Sequence, residues 1–225
     1  VVVVLASWPL AAQTLPTLAT SGDFTNVTYR LATESMDSIL RYKVLDHTEA
    51  IPSAYPFIAA EIISNESYDQ LGWDFVQVTA SEELLGNEDR GYKAYYAAGY
   101  LEGYVTSKRI GEIYVGNNLT YPQSAAVMAW VEEHMGYMTN QVRTNLHAGY
   151  PSPFWTQLGN HLAQLEGIAE GYMQAVVDHG RVGAPNQPNL TYVDIFLLNF
   201  NNELGDIYNV VQNQSSLAAT FQSKN

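Results

Sequence analysis

Apolar and polar positions alternate over the first third of the chain and then follow a helical period from about residue 89 onward. Residues 25–46 place Val27, Tyr29 and Leu31, and later Tyr42 and Val44, at every second position, which predicts strands. Residues 72–80 predict a further strand. The mostly apolar residues 55–64 lie between them, and we interpret this run as a short helix.

Four long helices are predicted in the remainder of the chain from apolar residues at i, i+3, i+4 and i+7. The expected ranges are about residues 89–114, a helix that begins after Ser124 as N-cap, residues 153–178 and residues 192–211. Pro and Gly residues separate these segments, and residues after 212 are expected to be mobile. Strands followed by helices predict an α+β fold, and we find no internal repeat and no clear domain boundary.

The stretch from Gly91 to Thr106 carries only Lys93 and Glu102 as charged groups. Its small and apolar residues share one helix face, which predicts a tightly packed core helix that another element approaches closely: Ala94, Ala97, Ala98, Leu101 and Val105. Glu102 lies beside that face, so its carboxylate needs a partner if it is buried.

Composition excludes several functional classes. The chain has 225 residues and a net charge of −13, which opposes binding to nucleic-acid phosphates and electrostatic docking on anionic lipid. It contains no cysteine, so disulfides and thiolate-based metal sites within the chain are excluded. The sequence carries none of the common nucleotide-binding, zinc-helix or serine-elbow motifs, and we predict no cofactor and no metal.

We expect the remaining polar residues to have structural rather than catalytic roles. His134 falls on the apolar stripe of its helix and is interpreted as a hydrogen-bonded core histidine. His179 lies at a helix end, where the helix dipole favours it. Asp194, Asn199 and Asp206 border an apolar helix, and Asn199 is expected to bond the backbone of a neighbouring segment.

The first twelve residues are predicted to be the end of a secretory signal peptide, with cleavage after Ala12. The alternative is a buried N-terminal strand, because Val1 to Val4 are strong strand formers. No other apolar run is long enough to span a bilayer. Five sequons add to the indication of a secreted or lysosomal glycoprotein and are the predicted glycosylation sites: Asn26, Asn65, Asn118, Asn189 and Asn213.

Four ordered stretches resemble the phospholipase B-like family. The first in the chain joins Ser53-Ala54-Tyr55 to residues 72–78, and the second is Ala-Ala-Gly-Tyr-Leu-Glu-Gly-Tyr-Val-Thr at residues 97–106. The third contains Phe154-Trp155, residues 164–167 and Gly171-Tyr172, and the fourth contains residues 194–199 and 205–207. Together they span roughly residues 44–211.

The resemblance implies an N-terminal-nucleophile hydrolase, in which helix layers cover a two-sheet αββα sandwich. Residues 13–225 would be the N-terminal portion of that domain, incomplete without a downstream chain. Family members cleave their own chain to free a Cys nucleophile, and this sequence has none, so no catalytic residue is assigned within it. The implied partners are the downstream catalytic part of the precursor and a lipid substrate. The complete enzyme would remove fatty acyl chains from glycerophospholipids or cleave a related amide.

The alternative function is a non-enzymatic secreted glycoprotein that serves as a binding module. Sixteen tyrosines and the lack of a catalytic cluster motivate this hypothesis. The two hypotheses differ in what this chain does alone. A binding module is expected to be stable and monomeric, whereas an N-terminal fragment is expected to expose the apolar faces that its missing part covers, and to aggregate.

Overall fold

The computed structural model describes residues 2–5, 26–36, 41–65, 74–85, 91–116, 125–146, 152–200 and 203–211. The chain forms two compact units, one of residues 1–107 and 160–181, the other of residues 108–159 and 182–225. The strands are β1 (Val2–Leu5), β2 (Asn26–Thr33), β3 (Tyr42–Asp46), β4 (Phe57–Asn65) and β5 (Phe75–Ala80). The helices are α1 (Glu82–Leu85), α2 (Gly91–Val105), α3 (Ser107–Gly116), α4 (Ala125–Leu146), α5 (Pro153–Asp178), α6 (Tyr192–Asn199) and a last helix, α7, at residues 204–211.

The five strands form one sheet in the order β1-β5-β4-β2-β3. Strands β2 to β5 pair in antiparallel fashion, and β1 pairs parallel with β5 at the edge. The expected α+β class is confirmed. The strands expected near residues 25–46 and 72–80 are β2, β3 and β5, although residues 25, 37–40, 72 and 73 of these ranges lie outside the described residues.

Strand β4 corrects the helix expected at residues 55–64. Phe57–Asn65 is a central strand, hydrogen-bonded to β2 on one side and to β5 on the other. The sequence pattern misled because a short, continuously apolar run has no period that separates a buried strand from a buried helix. Ile58, Ile62 and Ile63 have β-branched side chains, which favour the pleated surface of a sheet.

Strand β1 lies within the segment expected to be a leader. Val2–Leu5 pairs residue by residue with Phe75–Val78 of β5. This is the pairing that a buried N-terminal strand would make. Removal of residues 1–12 during secretion stays a prediction.

Helix α2 lies between the sheet and α5 within the first unit. Its alanines face the sheet, where Ala94, Ala97, Ala98 and Leu101 join the apolar cluster of β2, β4 and β5. The predicted packing face is therefore confirmed. About half a turn away on the same helix, Gly99 and Gly103 face α5. A helix that is apolar around its whole circumference is expected to be buried on both sides, as α2 is.

Backbone touches backbone where α2 meets α5. A Cβ atom added to Gly99 or Gly103 would overlap the carbonyl groups of Gln164 or Ile168, and one added to Gly167 or Gly171 would overlap those of Tyr96 or Tyr100. Contacting residue numbers rise together along both helices, so α2 and α5 run in the same direction. No residue with a side chain fits these four positions unless the helices move apart.

The helix boundaries confirm one expectation fully and correct two. Helix α5 spans the predicted residues 153–178, and its end is fixed by Gly180 in the left-handed conformation (φ 61°), where the Arg181 amide bonds the Val176 carbonyl. The single helix expected at residues 89–114 is interrupted at Thr106, whose hydroxyl donates to the Glu102 carbonyl at 2.7 Å.

The helix expected at residues 192–211 is also divided. Helix α6 ends at Asn199, Phe200 is its C-cap, and helical structure resumes at residue 204. Phe200 leaves the helical conformation (φ −95°, ψ 9°), although its ring still stacks on Phe196 at 4.4 Å. The apolar spacing in the sequence therefore continues across an interruption of the helix. The proposed N-cap of α4, Ser124, lies outside the described residues.

We predict that Gly103→Ala lowers the free energy of unfolding by about 3 kcal/mol, because the added methyl group overlaps the Ile168 carbonyl. The matched control is Gly136→Ala on α4, where a Cβ atom would have no neighbour within 4 Å. That control is expected to stabilise the protein by about 0.5–1 kcal/mol, since Ala favours helices. Denaturant unfolding followed by circular dichroism measures both. Equal effects of the two substitutions would contradict the close contact.

Candidate functional site

A row of tyrosines follows one edge of α2. Tyr96, Tyr100 and Tyr104 are spaced four residues apart, so their rings lie above one another along the helix. Tyr42 of β3 contacts the rings of both Tyr96 and Tyr100, with centroids 5.7 Å apart in each pair. Tyr29 of β2 meets Tyr104 edge to face at 5.8 Å. These five residues, the tyrosine cluster, fill the space beside α2 on the side of β2 and β3.

Two hydroxyl groups of this cluster reach carboxylates on α5. Tyr96 donates to Glu170 Oε2 at 2.5 Å, and Tyr104 donates to Asp178 Oδ2 at 3.1 Å. Gln174 donates to the other oxygen of Asp178 at 2.7 Å. Both tyrosine–carboxylate pairs span 74 residues of sequence, as expected for two parallel helices. The bonds fix the rotation of α5 against α2.

The environment keeps these phenols protonated. Burial raises the pKa of Tyr42, Tyr96 and Tyr104, and the nearby carboxylates raise it further. Burial and the charge of Glu170 raise the pKa of Tyr100 to about 12. A phenol with a raised pKa donates a hydrogen bond but does not serve as a general base near neutral pH. The tyrosine cluster therefore joins structural elements, and its phenols are not expected to act as general bases.

Glu102 lies on the opposite edge of α2, and the partner that its carboxylate was expected to need is Gln164 of α5. The Gln164 amide donates to Glu102 Oε2 at 3.1 Å. Burial raises the pKa of the Glu102 carboxyl, and the bond from Gln164 opposes that shift without cancelling it. Burial and the neighbouring Glu170 also raise the pKa of Glu166. Glu102, Glu170 and Asp178 thus each accept hydrogen bonds from neutral donors.

Of the three polar residues expected to have structural roles, Asp194 has the predicted kind of role, in the cap of α6. Asp194 completes a capping box: its side chain accepts from the Thr191 amide at 2.8 Å, and its own amide bonds the Thr191 hydroxyl. Tyr114 of α3 also donates to Asp194 at 3.2 Å. Asn199 donates to the Ile195 carbonyl of its own helix at 3.0 Å, so the expected bond to a neighbouring segment is wrong. Asp206 is exposed.

His134 is not a core residue. It is exposed on α4, where its ring stacks on Trp130 at 4.2 Å with an interplanar angle of 18°. The buried face of α4 consists of Val127, Val131 and Met135. The prediction failed because the spacing of apolar residues shows which side of a helix is apolar. It does not show how much of that side other elements cover. His179 follows the end of α5, as expected, and its ring contacts Tyr104 at 5.6 Å.

The predicted glycosylation sites fall into three groups. Asn189 is exposed in the loop before α6, although the Thr191 of its sequon also caps that helix. Asn26 and Asn65 lie directly opposite each other, as the first pair of β2 and β4. Asn118 and Asn213 lie outside the described residues.

The described residues hold no group of three or more His, Asp or Glu side chains arranged to bind a metal ion. Within the same residues, no helix is long and apolar enough to cross a membrane. What they do contain is a helix pair with polar links on both edges.

Comparison with known proteins gives consistent matches. A family model described as Phospholipase B matches residues 60–225. Phospholipase B-like protein B of Dictyostelium discoideum is 31% identical over 167 residues, which cover 72% of this chain and 26% of that protein. Phospholipase B-like 1 of Homo sapiens is 26% identical over 156 residues, which cover 67% of this chain and 25% of that protein. The chain spans about a quarter of the length of the curated relatives it matches.

We predict that Glu102→Gln raises stability at neutral pH and has little effect in acid. Because the folded pKa of Glu102 lies above its unfolded value, the folded state binds the proton more tightly. The stability linked to this group is therefore complete below the unfolded pKa and is lost as pH rises through the raised folded pKa. The glutamine side chain of Glu102→Gln stays neutral at every pH, so the substituted protein does not lose this stability as pH rises.

Thermal unfolding at neutral pH and near the ordinary carboxyl pKa of 4.5 measures the difference. Glu133→Gln on the exposed side of α4 is the matched control, since it neutralises a solvated carboxylate. A gain from Glu102→Gln that is the same at both pH values, or absent at both, would contradict the assignment of a buried charge.

Proposed function

Because the chain belongs to the Phospholipase B family, we propose that it is the N-terminal part of a phospholipase B-like hydrolase that removes fatty acyl chains from glycerophospholipids. A related amide is the second substrate class we consider. The observation that carries the proposal is the family match over residues 60–225. That match includes α2, α5 and α6, which bear three of the four stretches that resemble the family.

In this proposal the nucleophile is a Cys that lies beyond Asn225 and becomes an N-terminal residue when the precursor cleaves itself. Its thiol attacks the acyl carbonyl, its α-amine takes the thiol proton and passes it to the leaving oxygen, and the alcohol of the lipid departs as the thioester forms. Water then hydrolyses the thioester and releases the fatty acid. The absence of cysteine from all 225 residues fits this division of labour.

The described part of the chain serves in this account as the scaffold of the catalytic domain. The sheet, α2 and α5 would form one sheet layer and its covering helices in an N-terminal-nucleophile sandwich. Exposed aliphatic side chains support an incomplete domain, among them Ile51, Ile113, Val115, Val182 and Val210. Aliphatic side chains of this kind suit a surface that the downstream chain covers.

Secretion to the lysosomal lumen or the outside of the cell is part of the same proposal. Cleavage after Ala12 and glycosylation at the five sequons would accompany it. The polar links between α2 and α5 also suit an acidic compartment, because each carboxylate is paired with a neutral donor. A protonated carboxyl group still accepts such a hydrogen bond, whereas acid breaks an ion pair.

A binding module without enzymatic activity is the second candidate. The observation that favours it is the row of aromatic rings on α4, in which His134 and Tyr137 are exposed and Trp130 is half-buried. Aromatic side chains in solvent are common at recognition surfaces. Under this alternative the complete protein would bind its ligand and release no acyl group.

We predict that the complete precursor, expressed through a eukaryotic secretory pathway, is processed into two chains that purify together and release fatty acid from phospholipid. Replacing the cysteine at the new N-terminus by serine is expected to lower the rate of hydrolysis by at least about a hundredfold, because the nucleophile is lost. Gly136→Ala in the same precursor is the control. Processing without hydrolysis of any ester or amide would favour the binding module, and full activity of a precursor without cysteine would exclude the proposed chemistry.

Glycosylation at Asn189 can be measured in the same material. Enzymatic removal of N-glycans is expected to change the mass of the unsubstituted chain more than that of Asn189→Gln. Asn186→Gln, which alters an exposed asparagine of the same loop outside any sequon, is the control. No difference between the two variants would show that Asn189 carries no glycan.

A further inference from the structure

An exposed row of aromatic rings lies along α4. Trp130, His134 and Tyr137 occupy positions i, i+4 and i+7, so they share one flank of the helix. His134 stacks on Trp130 at 4.2 Å and contacts Tyr137 at 6.3 Å. We call these three residues the aromatic ladder. Tyr137 is 55% exposed, His134 is exposed, and Trp130 is half-buried.

The aromatic ladder extends the apolar face of α4 beyond its buried part. Val127, Val131 and Met135 are covered, whereas the ladder lies on the adjoining flank and remains in solvent. The apolar face of α4 is therefore wider than the part of it that is buried within the unit. Exposed aromatic surface of this kind is typical of binding sites rather than of a passive surface.

Chemistry separates this flank from the exposed aliphatic residues of the same unit. Ile113, Val115, Val182 and Val210 are aliphatic, as in an interface that resembles a divided core. Trp, His and Tyr instead combine an apolar ring with a polar atom. Such side chains suit a boundary where one end is apolar and the other is wet, as at the surface of a membrane.

The charges beside the aromatic ladder select the kind of headgroup. Glu133 is exposed, three residues after Trp130 and four before Tyr137, so it borders the ladder on the same flank. The one Arg or Lys of α4, Arg143, lies on a different side of the helix by its position. Aromatic faces next to a carboxylate complement a quaternary ammonium group through cation–π and ionic attraction. The net charge of −13 opposes an anionic lipid.

We propose that the aromatic ladder, with Glu133, docks the protein on the choline headgroups of a phosphatidylcholine membrane. The proposal rests on the proposed function, because an enzyme that removes acyl chains from glycerophospholipids must meet them in a lipid surface. The ladder binds the surface and takes no part in the chemistry. It would raise the local concentration of substrate for a catalytic centre elsewhere in the complete protein.

Flotation of the complete, processed protein with phosphatidylcholine vesicles tests the docking directly. Tyr137→Ser is expected to weaken vesicle binding about tenfold, since it removes a ring that the membrane surface would cover. Glu133→Lys is expected to weaken it as well and leaves the rings in place. The matched control is Phe154→Ser, which removes a more exposed aromatic ring (65%) outside α4 and should leave binding unchanged.

Three results would overturn the docking proposal. Equal vesicle binding by Tyr137→Ser and the unsubstituted protein would show that the membrane does not contact the ladder. The ladder would then be covered by the downstream chain or remain in solvent. Equal losses in Tyr137→Ser and Phe154→Ser would indicate non-specific adhesion. Stronger binding of the unsubstituted protein to phosphatidylserine vesicles than to phosphatidylcholine vesicles would exclude the choline headgroup as the target.

Hydrolysis measured in parallel separates this proposal from the proposed function. On a dispersed short-chain phosphatidylcholine, Tyr137→Ser is expected to keep its kcat and KM, whereas on vesicles its apparent KM should rise about tenfold. If the protein hydrolyses neither substrate but Tyr137→Ser still loses vesicle binding, the docking surface stands and the proposed enzymatic function fails. If vesicle KM and binding are both unchanged while hydrolysis persists, the docking proposal alone fails.

Discussion

The backbone contact between α2 and α5 is the constraint on which the first unit depends. Four glycines, Gly99, Gly103, Gly167 and Gly171, allow the two helices to approach until peptide groups touch. At that distance dispersion contacts are dense, and small changes in volume are felt strongly. Each helix carries only two of these glycines, so a slip by one turn would bring a residue with a side chain into the contact. The glycines therefore also set the axial register of the two helices.

The register in turn determines which polar groups meet. Tyr96 reaches Glu170 and Tyr104 reaches Asp178 on one edge, and Gln164 reaches Glu102 on the other. A slip by one turn would separate all three pairs at once and leave a partly buried carboxylate without its donor, which costs free energy. Apolar packing and hydrogen bonds therefore specify the same arrangement. The scaffold is held by pairs that remain bonded when their carboxyl groups take up a proton.

The sequence predicted the features that depend on local chemistry. Helix α5 was located correctly because Pro residues precede it, Gly180 follows it, and its apolar spacing is regular. The need of Glu102 for a partner was also foreseeable from its place beside an apolar face. That the partner is Gln164 was not foreseeable, since it depends on the helix register. Likewise, small residues in α2 predicted a close approach but not which element approaches.

The failures have a common physical origin in tertiary context. Strand β4 was mistaken for a helix because an apolar run has no distinguishing period when a strand lies between two others. His134 was placed in the core because the width of the covered face is set by neighbouring elements and not by α4 itself. For the candidate site, the family could be recognised from the sequence, but the aromatic ladder became visible only once the exposure of α4 was known.

Native-state hydrogen exchange of the complete protein, followed by mass spectrometry, tests the central role of the helix contact most directly. If α2 and residues 160–178 of α5 form one cooperative unit with the sheet, their amides exchange only by global unfolding, with the same free energy in all three elements. Helix α4, with only three buried residues among those described, is expected to open at lower free energy. Exchange of α5 by local opening, at a free energy well below that of β4, would contradict the account.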